Sequence, residues 1–312
     1  MANIVTAYGT SHAFTLMPPG EWDAFRKKNQ AGFHRRYGTT PADHPRVAAE
    51  DDASNAVRYE RISEALDRIA LSLERARPDA LILIADDQNE NLSRANLPQV
   101  AIYTGDNFLI ANDPIDERRA SPELAAAILR HAVESDIDMA ELHSFPDRLL
   151  FAHAYGPVLK RIDPSGAIPV VPVFINEIHV PAPSPARCYY VGVTIAEAVH
   201  AFSGLRSVSV LASGGLSHFT AGYPWTHYAG PHRHGSIDEA FDARIVGQIR
   251  TGHGKELTAL SSADLLASGA IELRAWIAML GSIGPAKPVD FVYEPFYRGI
   301  MGMGVARWEL LV

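Results

Sequence analysis

The run Ser207–His218, SVSVLASGGLSH, decides how the chain folds. Val208, Val210 and Leu211 make its first half read as a buried strand. The strand runs into Ser213-Gly214-Gly215, and two glycines at a strand end allow a sharp turn and close approach of backbone to a ligand. The turn delivers Ser217 and His218. The mouth of a buried strand is where an α/β enzyme places a reacting group, and imidazole trades protons near neutral pH.

Working outward, the same plan recurs. Residues 3–8 (NIVTAY) read as a strand ending in Gly9-Thr10-Ser11-His12. Residues 56–76 carry Ile62, Ala65, Leu66, Ile69 and Leu73 on one helical face, and Pro78 stops the helix. The apolar run 80–85 (ALILIA) follows and ends in Asp86-Asp87-Gln88-Asn89-Glu90, polar residues that either bind metal or cap the turn. Ser121 and Pro122 open a helix over 122–134. Residues 168–175 (AIPVVPVF) read as a strand that Pro169 and Pro172 mark as edge or irregular. A loop stiffened by Pro181, Pro183 and Pro185 follows, and Thr194 with Glu197 reads as a capping box for a helix through Phe202.

Beyond the central turn, Ser236 and Glu239 read as a second capping box, for a helix burying Phe241, Ile245 and Ile249. Residues 269–280 (GAIELRAWIAML) are apolar nearly all round except Glu272 and Arg274. A carboxylate there must pair with an arginine or bind a metal. Strands over 289–293 and 305–312 close the sheet. Residues 17–55 are charged, hold His34 and His44, and show no core face, which suits a lid or an oligomer contact. Helices alternating with buried strands predict one α/β domain over residues 1–312, a central mostly parallel or mixed sheet flanked by helices.

Composition bounds the function. The chain has 312 residues, 47% hydrophobic and 21% charged, with a net charge of −8, and no basic stripe that would suit nucleic acid. It has no run of membrane-spanning length and no charged leader followed by an apolar core, so a cytoplasmic protein is expected. A single cysteine, Cys188, excludes an internal disulfide and a thiolate cluster. Thirteen histidines leave imidazole and carboxylate as metal ligands. His227, His232 and His234 in one loop form a rival metal cluster, although a solvated or substrate-lining loop is the plainer reading. Tyr223, Trp225 and Tyr228 beside them suit an aromatic pocket or an oligomer contact. Arg187 and Arg274 are candidate partners for a substrate carboxylate.

Four stretches in order, the strand into Ser11-His12, the strand into Asp86–Leu92, Gly214–His218, and Gly269–Leu273 with Trp276, carry a resemblance. Together with the proline loop before Arg187-Cys188, they make the chain resemble the LigB-type (class III) extradiol ring-cleavage dioxygenases, the family of the protocatechuate 4,5-dioxygenase β subunit. The resemblance implies a LigB-like fold and one Fe(II) held by two histidines and a glutamate. By position His12 matches the first histidine and Glu272 the glutamate. His218 matches a catalytic histidine outside the ligand set, and His153 a further histidine close to substrate. The second ligand histidine is replaced by Gln88, whose amide oxygen is a poorer ligand for Fe(II). Gln88 itself, Glu90, or a histidine from 34–44 would then complete the set.

The resemblance also implies a catechol-type substrate cleaved by O2 beside its hydroxyls, with His218 as acid and base. It implies a homo-oligomer or a complex with a small helical subunit. The substitution at Gln88 keeps two alternatives open, a metal-dependent hydrolase or lyase on the same scaffold and a binding protein without catalysis.

Overall fold

The computed structural model describes residues 1–145 and 150–310. Among them are ten strands: β1 (Asn3–Thr10), β2 (Ala80–Ala85), β3 (Val100–Tyr103), β4 (Asn107–Ile110), β5 (Asp116–Arg119), β6 (Ala140–Leu142), β7 (Val170–Ile175), β8 (Ser207–Ser213), β9 (Asp290–Phe296) and β10 (Met301–Glu309). Eight form one mixed sheet in the order β6-β3-β7-β2-β8-β1-β10-β9, while β4 and β5 pair separately. The four central strands β7, β2, β8 and β1 run parallel. Their carboxyl ends therefore share one edge, and that edge carries His12, Asp86 and the turn after Ser213.

The β2 sequence shows why the sheet is covered on both faces. Side chains alternate across a strand. Ala80, Ile82 and Ile84 enter one core, and Leu81, Leu83 and Ala85 enter the other. The first core is closed by α3 (Pro122–Glu134), α5 (Pro185–Ala201), α6 (Glu239–Arg250) and α8 (Leu273–Ile283). The second is closed by α2 (Asp52–Ala76), α4 (Gly156–Ile162) and Trp22 of α1 (Pro19–Tyr37). Helices α5 and α8 meet backbone to backbone. A Cβ on Gly192 would lie 1.8 Å from the Ala278 carbonyl oxygen, and one on Gly281 2.1 Å from that of Tyr189. This contact fixes the helix whose first turn presents Glu272.

Several expectations are corrected. β7 lies inside the sheet between β3 and β2, not at an edge. Pro172 is accommodated because pairing with antiparallel β3 runs only from Ile175 to Val173, so no ladder bond to β3 is lost at Pro172. Thr194 caps nothing. Its helix begins nine residues earlier at Pro185, where the Ser184 side chain accepts from the Arg187 N–H. The cap of α6 is Asp238. The apolar run 269–280 is helical only from Leu273, which places Glu272 at the N-cap. A further helix, α7 (Ser262–Ser268), ends at Gly269 in the left-handed conformation, φ 72°. The last strand begins at Met301 and ends at Glu309, and residues 311–312 of the expected strand lie outside those described. No helix among the described residues is long and apolar enough to cross a membrane.

Candidate metal centre

Three strand ends and one helix start bring the site together. His12 follows β1, Asp86 follows β2, His218 lies in the turn after β8, and Glu272 stands at the N-cap position of α8 without capping it. Two of the turns are tight, with Ala13 at φ 53° directly after His12 and Asn89 at φ 66° in the turn after β2. His12, Asp86 and Glu272 are at most 1% exposed. Each offers a ligand atom, and those atoms lie within 4.8 Å of one another.

Glu272 is the most engaged of the three. Its Oε2 accepts from the Gly215 N–H at 2.7 Å and faces His12 Nε2 at 3.6 Å. Its Oε1 accepts from His218 Nε2 at 3.1 Å and from the Gln88 amide at 2.8 Å. Burial pushes this carboxyl up, but the His218 charge and the bonds from His218 and Gly215 outweigh it and hold Glu272 ionised. The helix N-terminus favours the same charge.

Gly215 is needed for this geometry. A Cβ there would fall 2.5 Å from the His218 ring.

His218 donates at both nitrogens, since a carbonyl and a carboxylate only accept. Nδ1 meets the Leu216 carbonyl at 2.7 Å and Nε2 meets Glu272. Burial lowers its pKa, yet the Glu272 charge and these bonds raise it to about 9. His12 moves the other way, to about 4, because burial outweighs the attraction of Glu272. Ser213 Oγ donates to the Ala154 carbonyl at 2.6 Å and so can only accept from His12 Nδ1 at 3.4 Å. That places the His12 lone pair on Nε2, facing Glu272.

Asp86 is different in kind. Both its oxygens are buried without a hydrogen-bond partner. Burial and the Glu272 charge push its pKa well up. An unpartnered buried carboxylate is costly unless it is neutralised or ligates a cation. One imidazole and two carboxylates converging with open valence fit a divalent ion.

Gln88 and Glu90, the residues expected to complete the ligand set, are engaged with other groups. Gln88 gives its amide proton to Glu272. Glu90 accepts from His153 Nδ1 at 2.8 Å and from the His153 N–H at 2.6 Å. His153 stands edge-on to His12 with ring centres 5.0 Å apart, and Glu90 helps to raise it to about 9 against the effect of burial. Asp87 accepts three backbone N–H groups, from Glu90, Asn91 and Leu92, and so is a turn cap. The signal for Asp86 was only the acidic strand end itself.

The remaining candidates lie elsewhere. His34 meets Thr40 and His44 stacks on Tyr297. His232 faces Asp238, and His234 bonds Asn29. Tyr223, Trp225 and Tyr228 pack with Phe219 in a small aromatic core. Arg274 is buried on the carbonyls of Pro183 and Ile271, so Glu272 pairs with histidines instead. Arg187 meets the Asp136 carbonyl at the surface.

A cavity of about 610 Å³ lies beside the site and reaches it through Gln88, which bonds Glu272, and His153, which stands against His12. Gln88, Glu90 and His153 line its side toward the cluster, and Phe14, Met17 and Phe25 give it apolar surface.

The chain is similar over its whole length to a solved structure of an uncharacterized protein from Escherichia coli K12. The TM-score is 0.54 with 13% identity over 97% of this chain and 99% of that one, a likeness of fold. A gallate dioxygenase of Pseudomonas putida is 25% identical over 178 residues, 55% of this chain and 49% of that protein's length. A 2,3-dihydroxyphenylpropionate/2,3-dihydroxicinnamic acid 1,2-dioxygenase of Rhodococcus is 28% identical over 168 residues, half of each chain. The chain thus matches about half the length of these two relatives. A protein of the same name from Burkholderia vietnamiensis is 26% identical over 304 residues, 82% of this chain and 87% of that one. The sequence profile described as the catalytic LigB subunit of aromatic ring-opening dioxygenase matches residues 42–305. The chain belongs to that LigB family.

Proposed function

We propose that this protein is a non-haem Fe(II)-dependent extradiol dioxygenase that opens a catechol-type ring with O2. The observation that carries the reading is Asp86, a buried carboxylate with no partner, set between His12 and Glu272. His12 Nε2, one Asp86 oxygen and a Glu272 oxygen would hold the ion. When bound, Fe(II) would supply adjacent positions for the diol oxygens and O2 and conduct electron density between them.

The chain's own groups supply the rest. Nδ1 of His218 is fixed on the Leu216 carbonyl, so proton exchange falls to Nε2, the nitrogen that faces the ligand cluster. His153, anchored by Glu90, stands on the cavity's side toward the cluster as a second proton-holding group beside the ring. The Phe14, Met17 and Phe25 wall excludes water from the ring face.

Anaerobic reconstitution with Fe(II), followed by oxygen uptake on a panel of catechols, tests the reading. It expects one O2 consumed per ring opened, and no uptake with any catechol would refute it. One observation favours a second reading. Two carboxylates and one imidazole form a harder, more oxygen-rich set than two imidazoles and one carboxylate, and such a set also suits a metal-dependent hydrolase. Ester or amide cleavage without O2 would select that alternative.

A further inference from the structure

Among the described residues, two buried carboxyls have neither oxygen partnered, Asp86 and Glu177. Asp86 belongs to the candidate metal centre, but Glu177 is not among the side chains whose ligand atoms converge there. Glu177 stands two residues past the end of β7, the strand beside β2, and is 2% exposed. Burial and the Asp86 and Glu272 charges push its carboxyl well up. The Arg274 charge and the Ala275 N–H oppose that shift, but the N–H itself bonds the Glu272 carbonyl at 3.3 Å. Protonated or ionised, a buried carboxyl without a partner is costly.

Glu177 and Arg274 line a second cavity, of about 300 Å³, which shares no lining residue with the one beside the metal cluster. Val180, Pro224, Leu266 and Ile271 give it apolar walls, and exposed Ala263 of α7 stands on its rim. Arg274 is buried as deeply as Glu177. Its Nε donates to the Pro183 carbonyl at 2.7 Å and its Nη1 to the Ile271 carbonyl at 2.8 Å. Its Nη2 has no partner among the described residues and, unlike the Glu177 oxygens, is not sealed from solvent, which leaves it open to the cavity. The two charges act on each other, yet the guanidinium does not bond the carboxyl. One cavity thus holds a donor and an acceptor that do not satisfy each other.

We infer that this cavity is a second small-molecule site, and that it takes an uncharged carboxamide on a short apolar body. The amide carbonyl accepts from Arg274 Nη2, and the amide N–H donates to the Glu177 carboxyl. The Glu177 oxygens are shut off from solvent, so the occupant meets them through a turn about the last side-chain bond, a torsion with a broad minimum. A carboxylate head would bring a second anionic group against Glu177 and lose its hydration to the apolar walls, and a cationic head would face Arg274. An amide serves both groups and adds no charge. The inference does not depend on the dioxygenase reading, because this cavity is separate from the one beside the cluster.

The test is a ligand-observed NMR titration of the full chain with benzamide, benzoate and benzamidine, ligands of one shape whose heads are neutral, anionic and cationic at neutral pH. Ala263→Trp, a change on the exposed rim, should fill the cavity, and the binding it abolishes is the binding at this site. At this site benzamide should bind at least about 10-fold tighter than either charged ligand. Glu177→Leu should weaken benzamide at least about 10-fold, and the loss of an unpartnered buried carboxyl does not threaten the fold. Absence of benzamide binding up to its solubility limit would overturn the inference. So would a charged ligand held equally well at this site, or a benzamide affinity that either variant leaves unchanged.

Discussion

The turns after β8 and β2 sit side by side on the same sheet edge, yet they are built in opposite ways. In the turn after β8 every polar group noted above is partnered. Ser217 N–H donates to Asp242 at 2.9 Å, Ser217 Oγ donates to the Ser268 carbonyl at 2.6 Å, and both nitrogens of His218 are used. In the turn after β2, Asp87 is saturated by backbone while its neighbour Asp86 has nothing. One turn is a finished scaffold that fixes His218, the proton-transfer group of the proposal. The other keeps an unpartnered carboxyl buried, which is unfavourable for the folded chain alone and is the feature proposed to take a cation.

The contrast is broken most directly at Asp86. Asp86→Asn should weaken divalent-metal binding by more than about 100-fold, the upper range for groups that merely orient ligands, as read by metal content after dialysis. It should also raise the melting temperature of the metal-free protein, because it removes an unpartnered buried carboxyl. Asp87→Asn should do the opposite, keeping the metal and costing about 1–3 kcal/mol in chemical denaturation as turn N–H groups lose their acceptor.

His218→Gln tests the finished turn. Metal content should stay at the natural level while turnover falls about 100-fold or more. If the metal leaves with His218, the division of roles between the two turns is wrong.

A pH series sharpens the same division. Asp242, which holds the Ser217 N–H and accepts from Tyr293 at 2.6 Å, is pushed up by burial to about 7. A carboxyl raised in the folded state binds its proton there when the unfolded chain has already lost it. Stability from this group is therefore greatest below the unfolded carboxyl pKa of about 4, declines as pH rises toward 7, and is level above that. Asp242→Asn should flatten this slope in urea midpoints measured from pH 4 to 8. The smallest effect concerns Glu90→Gln, which should lower the His153 titration from about 9 in an NMR series and leave His218 titrating where it does now.

Much of the sheet edge is legible in the sequence, for a physical reason. β2 and β8 are apolar runs buried on both faces and so announce themselves, and His12 and His218 lie in the short turns that follow β1 and β8. Asp86 is hidden because three carboxylates fall within five residues, and which one caps depends on where the chain turns at Asn89. That choice is set by the folded backbone, and residue type does not reveal it. The α1 helix is hidden for another reason. It buries only Trp22 and Arg26 and is held by ion pairs, so hydropathy carries no periodic trace of it. The false capping box at Thr194 arises because the alternating prolines 181, 183 and 185 read as loop, although Pro185 is the first residue of α5.

Anomalous diffraction at the iron edge from crystals reconstituted with Fe(II) tests the central claim most directly. The account predicts one peak per chain, coordinated by His12 Nε2, an Asp86 oxygen and a Glu272 oxygen, with Gln88 outside the coordination sphere. A peak ligated through the Gln88 oxygen with Asp86 turned away, or no peak between these strand ends, would contradict it.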